Sequence, residues 1–374
     1  MQYLYFSDDG IMSERGFITA EEALMLGRAS ARLSKHIIVG IKGSSEANIL
    51  SLAFAAGASE SGADVFEAGA ASLPELFFCS DISASESQCL IVYISSVFSS
   101  SFRFFRKGGA ALTDDEEDKL LNTASFSENS LFGTIRDISS LRCLYIEKLK
   151  AMISRIDFED FPYSVIINSP SSRIRSLFSE LLPETKGNDT LSFHINEDGV
   201  KVTAFTEQTG YIPCDKLLSI ALKYNLSEKS DNETVLIPTS FPGSAERIAK
   251  EFNIKIMRSE NAVLPFFYDK IILTVEIIKI IQKSKQNLAE LCSKLPDYVE
   301  LDRYIPIERK NYIELLQNFC NKYKNGKNYN LDKKCSAGIT INDELGRISV
   351  TPVRSGKGIM LHAESKAMET AAEL

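Results

Sequence analysis

The chain is poor in histidine, in regularly spaced cysteine, in long apolar runs and in basic charge, and each shortage removes a class of function. Its three histidines, His36, His194 and His362, lie far apart in sequence, which argues against histidine-based metal or triad chemistry. The seven cysteines (Cys79, Cys89, Cys143, Cys214, Cys292, Cys320 and Cys335) are odd in number and never spaced as CxxC. They read as reduced thiols of a cytoplasmic protein, not as a disulfide frame or a zinc site. The most apolar stretch, Ile271 to Ile281, carries Glu276 and Lys279 and falls short of the run of about 20 residues that crosses a bilayer. No membrane association is expected from it. The segment after Met1 has no basic region leading into an apolar core, so no export signal is expected. Lys and Arg total 42 against 50 Asp and Glu, a net charge of −8. That excludes a dominant nucleic-acid surface and leaves room for a local basic pocket.

What is present suits a globular protein with buried cores: 44% hydrophobic and 25% charged residues. At roughly 100–200 residues per domain, the length predicts two to four domains. Through the first third of the chain, β-type apolar runs alternate with helical patterns (Ile37 to Ile41, Ser45 to Ser59, Asp64 to Glu67, Leu73 to Cys79, Cys89 to Ile94, Asp114 to Ala124). This alternation predicts a parallel-type sheet covered by helices. Thr19 with Glu22, Ser72 with Glu75, and Thr113 with Glu116 fit the S/T-x-x-E capping box, which makes capping the plain role of those carboxylates.

A second α/β unit has strand Tyr163 to Ile167, helix Ser171 to Leu182, and a meander of Leu191 to Ile195 and Lys201 to Thr206 through turns at Asp198-Gly199 and Thr209-Gly210. A third, smaller unit combines Thr234 to Ile237 and Ile254 to Met257 with helices Ser244 to Phe252 and Ile271 to Lys283. From about Pro296 the pattern becomes α+β: a helix, Lys310 to Tyr323, then β runs Gly338 to Asn342, Arg347 to Val350 and Ile359 to Ala363. The expected fold class is α/β in four domains, residues 1–138, 139–229, 230–295 and 296–374, the last of them α+β. Such a plan favours a ligand cleft between domains.

Phe6-Ser7-Asp8-Asp9-Gly10-Ile11, followed by Ile18-Thr19 and Leu26-Gly27-Arg28-Ala29, resembles the FGTDGIRG start of the α-D-phosphohexomutases, the phosphoglucomutase and phosphomannomutase superfamily. The match continues through Ile38-Val39-Gly40, Ser44-Ser45-Glu46, Gly57, Gly62-Ala63-Asp64-Val65, Gly69 and Pro74 to Phe102-Arg103-Phe104-Phe105 and Lys107-Gly108-Gly109. Gly210-Tyr211-Ile212 with Asp215-Lys216-Leu217-Leu218 is similar to the segment after the family's metal loop. Glu246-Arg247-Ile248-Ala249, Ile254 to Arg258, and the tail to Ala363-Glu364-Ser365 resemble its third and fourth domains. The resemblance implies four domains around a cleft, the second and third shortened here. It also implies a phosphoserine that exchanges phosphate with a hexose phosphate, magnesium held by three aspartates, and a last-domain loop that grips the substrate's other phosphate. Phosphoryl transfer needs these parts because it rests on in-line positioning and charge neutralisation.

The family's motifs are only partly present. Its TASHNP serine loop falls on Tyr93 to Phe98, where Ser95 or Ser96 is the candidate nucleophile and a plain strand-end loop is the alternative. Its DGDADR metal loop falls on Asn196-Glu197-Asp198-Gly199-Val200-Lys201. Of the ligand positions, Asp198 keeps a carboxylate, Asn196 is an uncharged replacement and Val200 offers no side-chain oxygen, so a working metal site is not expected. The same residues suit a hairpin turn. GEXSGH has no counterpart, the chain passing from Ser259-Glu260 through Pro265 into a helix. RPSGTEP is replaced by Thr351 to Gly358, in which Arg354, Ser355, Gly356 and Lys357 offer two cations, a hydroxyl and nest-forming glycines for phosphate, or else form an exposed hairpin turn.

The losses coincide at the nucleophile, metal and sugar motifs while capping signals and core strands persist. The expectation is a cytoplasmic phosphoglucomutase/phosphomannomutase-like protein of hexose phosphate metabolism, catalytically degenerate, that keeps a phosphosugar- or partner-binding role. Its partner would be a phosphosugar, another protein or a second copy of the chain, with no nucleic acid and no membrane. No cofactor is expected, or Mg2+ under the alternative of a divergent, active mutase that works through a phosphoserine.

Overall fold

The computed structural model describes the chain apart from residues 1–2, 8, 84–88, 97–98, 122–130, 160, 239, 260–261, 263, 297–298, 308–313, 316–317, 319–320, 322–338, 343–345, 353–357 and 374. Its first unit comprises β1 (Leu4–Ser7), β2 (Gly10–Ser13), α1 (Ala20–Leu33), β3 (His36–Lys42), α2 (Ser45–Glu60), β4 (Asp64–Ala70), α3 (Leu73–Ser83), β5 (Leu90–Ser96), β6 (Ser100–Arg106), α4 (Asp114–Leu121) and β7 (Ile135–Asp137). The sheet order is β1-β2-β6-β5-β3-β4-β7. Only β5, β3, β4 and β7 are parallel; β6, β2 and β1 run antiparallel at one edge, so the sheet is mixed and not purely parallel as the alternation suggests.

The central strands bury both faces, which is why they read as unbroken apolar runs. Ile37, Val39, Val92 and Ile94 join Leu26 and Phe54 under α1 and α2, while Ile38, Ile91 and Tyr93 join Leu73 and Leu76 of α3 on the other side. Helices α1 and α2 lie close because of two glycines. A Cβ at Gly27 would stand 2.0 Å from the carbonyl oxygen of Phe54, and one at Gly57 would stand 2.1 Å from that of Leu24.

The second unit has α5 (Leu141–Ile153), β8 (Tyr163–Asn168), α6 (Ser172–Leu181), β9 (Asp189–Ile195), β10 (Val202–Thr206), β11 (Gly210–Ile212) and α7 (Cys214–Ser227), with sheet order β11-β10-β9-β8. Next come β12 (Thr234–Ile237), α8 (Ser244–Glu251), β13 (Lys255–Arg258), α9 (Pro265–Tyr268), α10 (Lys270–Ser284) and α11 (Leu288–Ser293). A two-stranded parallel sheet is too small to enclose a core of its own. Helix α10 is apolar nearly all round, and its buried Ile271, Leu273, Ile277 and Ile281 belong to the same core as Phe193 of β9 and Leu217 of α7. The expected second and third domains therefore share one core.

The tail forms a four-stranded antiparallel sheet, β14 (Val299–Pro306), β15 (Ile339–Asn342), β16 (Gly346–Pro352) and β17 (Gly358–Ser365) in the order β14-β17-β16-β15, followed by α12 (Met368–Glu373). Strand β14 is absent from the sequence expectation although Val299, Leu301 and Ile305 carry its alternation. Most of the predicted helix 310–323 lies outside the described residues.

One buried carboxylate ties the first unit to the second. Glu75, 3% exposed, caps α3 by accepting hydrogen bonds from the Ser72 backbone N–H at 2.7 Å and the Ser72 hydroxyl at 3.0 Å. It also receives both arms of Arg173 from α6, at 2.7 and 3.1 Å, and Arg142 Nε of α5 lies 2.9 Å away. Removing a buried anion leaves its cations uncompensated, so Glu75→Ala is expected to lower stability by about 3 kcal/mol. Urea unfolding checks this, and a loss below about 1 kcal/mol, the ceiling for surface pairs, contradicts it.

Candidate active site

Ser95 and Ser96 do not lie in a projecting loop. Both belong to β5 and pair with Ser101 and Ser100 of β6, so the expected serine loop is here the end of a tight hairpin. Because side chains alternate along a strand, the two serines face opposite sides of the sheet. Ser96 falls on the α1–α2 side. Its hydroxyl is 3.2 Å from that of Ser100, and its carbonyl oxygen accepts from the Ser44 hydroxyl at 3.0 Å. Ser95 falls on the α3 side, directly across from Lys42 of β3 and in line with Tyr93 and its register partner Arg103.

The turn between β9 and β10 comes down on this same face. Arg103 Nη1 donates to Asp198 Oδ2 at 2.8 Å, and Lys42 Nζ is 2.7 Å from Glu197 Oε2 and 3.9 Å from Asp198 Oδ1. The turn's backbone is held by two helix starts: Leu73 N–H donates to the Asp198 carbonyl and Lys270 N–H to that of Gly199, each at 3.3 Å. Burial raises the pKa of the Tyr93 hydroxyl, and the charge of Asp198 raises it further.

The residues at the family's three metal positions do not fit magnesium, which takes oxygen ligands in octahedral geometry. Asn196 Oδ1 accepts from the backbone N–H of Val200 at 2.9 Å and of Lys201 at 2.8 Å, closing the turn. Val200 packs against the apolar cluster of Ile91 and Tyr93. Asp198 is paired with Arg103. Sequence reasoning named Asn196 and Asp198 but missed Arg103 and Lys42 as their neighbours, since only the register of β3, β5 and β6 brings them together. The phosphate-loop candidates Arg354, Ser355, Gly356 and Lys357 lie outside the described residues. A cavity of about 560 Å3 opens in the second unit, lined by Asn168, Arg175, His194, Asn196, Lys201 and Thr203 among others.

Among the described residues, Glu300, His362 and Glu364 of the tail sheet bring potential metal-ligand atoms within 4.8 Å of one another. The imidazole is already taken up by carboxylates, with Nε2 2.9 Å from Glu364 Oε1 and Nδ1 2.5 Å from Asp302 Oδ1. Arg347 Nη1 stands 3.8 Å from Glu364 Oε1, so a second cation of the protein's own faces that carboxylate. The hydrogen bond to Glu364, followed by that to Asp302, raises the His362 pKa from 6.5 to about 9. A folded pKa above the unfolded one gives stability that is complete below pH 6.5 and is lost as pH rises through about 9. Discounted for partial exposure, the loss is of order 1–2 kcal/mol. His362→Gln is expected to remove this slope from stability measured between neutral and alkaline pH, and an unchanged slope contradicts the assignment.

No model of a known protein family matches the chain. A phosphoglucosamine mutase of Thermotoga petrophila is 21% identical over 373 residues, covering 82% of this chain and 85% of that protein. Over a shorter stretch of 127 residues, 31% of this chain and 27% of the relative, a phosphoglucosamine mutase of Desulforapulum autotrophicum is 33% identical. Among solved structures, a phosphoglucomutase/phosphomannomutase family protein from Burkholderia thailandensis matches with a TM-score of 0.68 at 15% identity, over 95% of this chain and 92% of that one. The N-acetylphosphoglucosamine mutase of Aspergillus fumigatus, in complex with GlcNAc-6P and magnesium, matches with a TM-score of 0.54 at 9% identity, over 99% of this chain and 93% of that one. By sequence likeness to phosphoglucosamine mutases and by its shared multi-domain fold, the chain is related to the α-D-phosphohexomutase superfamily.

Proposed function

We propose that this phosphohexomutase-like protein of carbohydrate metabolism binds a phosphosugar and has lost efficient mutase catalysis. The turn 196–201 carries the reading. A mutase must neutralise the charge on a moving phosphoryl group, and here the residues at the metal positions are bound to the turn's own backbone, to an apolar cluster and to Arg103. Phosphosugar is the favoured ligand because Arg354, Ser355, Gly356 and Lys357 keep the donors that grip a phosphate. A structural neighbour was also solved with GlcNAc-6P bound.

A second reading, a divergent mutase acting through Ser95, draws on the position of that serine across from Lys42 and on the face where Arg103 and Asp198 meet. A nucleophile needs such activating neighbours. Under this reading alone the protein would turn over a hexose 1-phosphate.

Phosphorus NMR separates the two. With mannose, glucose and glucosamine 1-phosphates, a hexose bisphosphate primer, and magnesium present or withheld, no 6-phosphate is expected. Conversion that disappears in Ser95→Ala establishes the second reading and removes the first. Calorimetry with the same sugars is expected to detect binding that weakens roughly tenfold or more in Arg354→Glu, the scale of one charge-assisted hydrogen bond. Equal affinity in the variant means that the 351–358 segment is not the phosphate site. Absence of all binding turns the role towards a protein partner or a second copy of the chain.

A further inference from the structure

We propose that the guanidinium of Arg103, with the ammonium of Lys42 beside it, takes the place of the divalent cation in this cleft, so that the acidic turn 197–198 is neutralised by the chain itself and the site is independent of magnesium. The strand order makes this arrangement possible. Strand β5, bearing Ser95, lies between β6, bearing Arg103, and β3, bearing Lys42, and all three side chains belong to the α3 face of the sheet. Arg103 is held in place from two sides. Its guanidinium stacks over the Phe105 ring, 5.3 Å from the centroid, while one arm reaches Asp198 at 2.8 Å. Lys42 ends β3 and reaches Glu197 at 2.7 Å.

The turn's Asp198 and Gly199 carbonyl oxygens accept from the Leu73 and Lys270 N–H groups that open α3 and α10, helices whose starts are capped by the carboxylates of Glu75 and Asp269. A divalent cation brought to Asp198 would meet a guanidinium and an ammonium. Its remaining ligand positions hold Val200, in an apolar cluster, and Asn196, whose side-chain oxygen already accepts two N–H groups. An arginine is suited to the replacement: it is always charged, and its planar fork satisfies a carboxylate without the dehydration that magnesium resists. The inference concerns the unliganded protein and holds whichever ligand the cleft takes.

The test is calorimetry of the full chain with magnesium chloride, together with thermal unfolding of the parent, Arg103→Met, Asp198→Asn and the double variant, each in millimolar magnesium and in EDTA. No saturable magnesium heat is expected, and the parent's midpoint should be the same in both conditions. Each single variant is expected to lower the midpoint by a few degrees, and the double variant to lower it by less than the sum of the two, because each side chain is the other's hydrogen-bonded partner. Magnesium binding that Asp198→Asn abolishes overturns the proposal, and so do strictly additive shifts. Should Arg103→Met fail to fold, Arg103→Lys serves. It is expected to unfold below the parent and to ignore magnesium, whereas a midpoint restored by magnesium in that variant again overturns the proposal. Because no phosphosugar enters these measurements, their failure is separate from any failure of the phosphosugar reading.

Discussion

A carboxylate sealed from water needs cations beside it, and in this protein that need joins two units. Glu75 starts as a helix cap of α3, a local role that spacing to Ser72 dictates. Once α3 packs against the sheet, the capping carboxylate is almost wholly buried, and it is compensated by Arg142 from α5 and Arg173 from α6. Those two helices belong to the second unit. The β9–β10 turn of the same unit also meets α3, the Asp198 carbonyl accepting from Leu73 N–H. The pair of Arg103 with Asp198, each about a fifth exposed, adds less on its own; its geometry is inherited from the buried interaction.

Where the first unit meets the turn between β9 and β10, charge is balanced by the chain's own side chains. The strand bearing Ser95 shares a sheet face with Lys42 and Arg103, and those two cations meet the acidic residues of the turn. Packing explains how the scaffold tolerated this. The apolar clusters on both faces of the first sheet and the continuous core built around α10 do not depend on the charges at the strand ends. In the tail sheet His362 and Arg347 likewise approach the carboxylates of β14 and β17.

Local signals were the readable ones. The capping box of Thr19 with Glu22 forms in full, and at Ser72 with Glu75 and Thr113 with Glu116 the carboxylate accepts from the capping residue's N–H as the spacing implies. The meander of β9, β10 and β11 and the apolar helix α10 were likewise visible as alternation and as an unbroken apolar run. The second role of Glu75 was not, because its arginine partners are 67 and 98 residues away in sequence. Nor could the strand pairing of Ser95 and Ser96 be read from a serine-rich segment, since antiparallel pairing with β6 depends on the brevity of the connection. Arg103 stood inside a recognised Phe-Arg-Phe-Phe segment, yet nothing adjacent to it indicated an acidic partner 95 residues on.

Spacing and side-chain chemistry by themselves determined the helix starts, the apolar strands, the turn at 196–201 and the absence of a carboxylate at Asn196 and Val200. Those properties arise within a few residues, where the chain's own geometry governs what can bond to what. Only the tertiary structure decided that Ser95 and not Ser96 shares a face with Lys42 and Arg103. It alone decided that Asp198 meets a guanidinium, and that the second and third units enclose one core. Each of these depends on strand order and register, which are settled when distant segments bury their apolar faces together, and no local pattern encodes that choice.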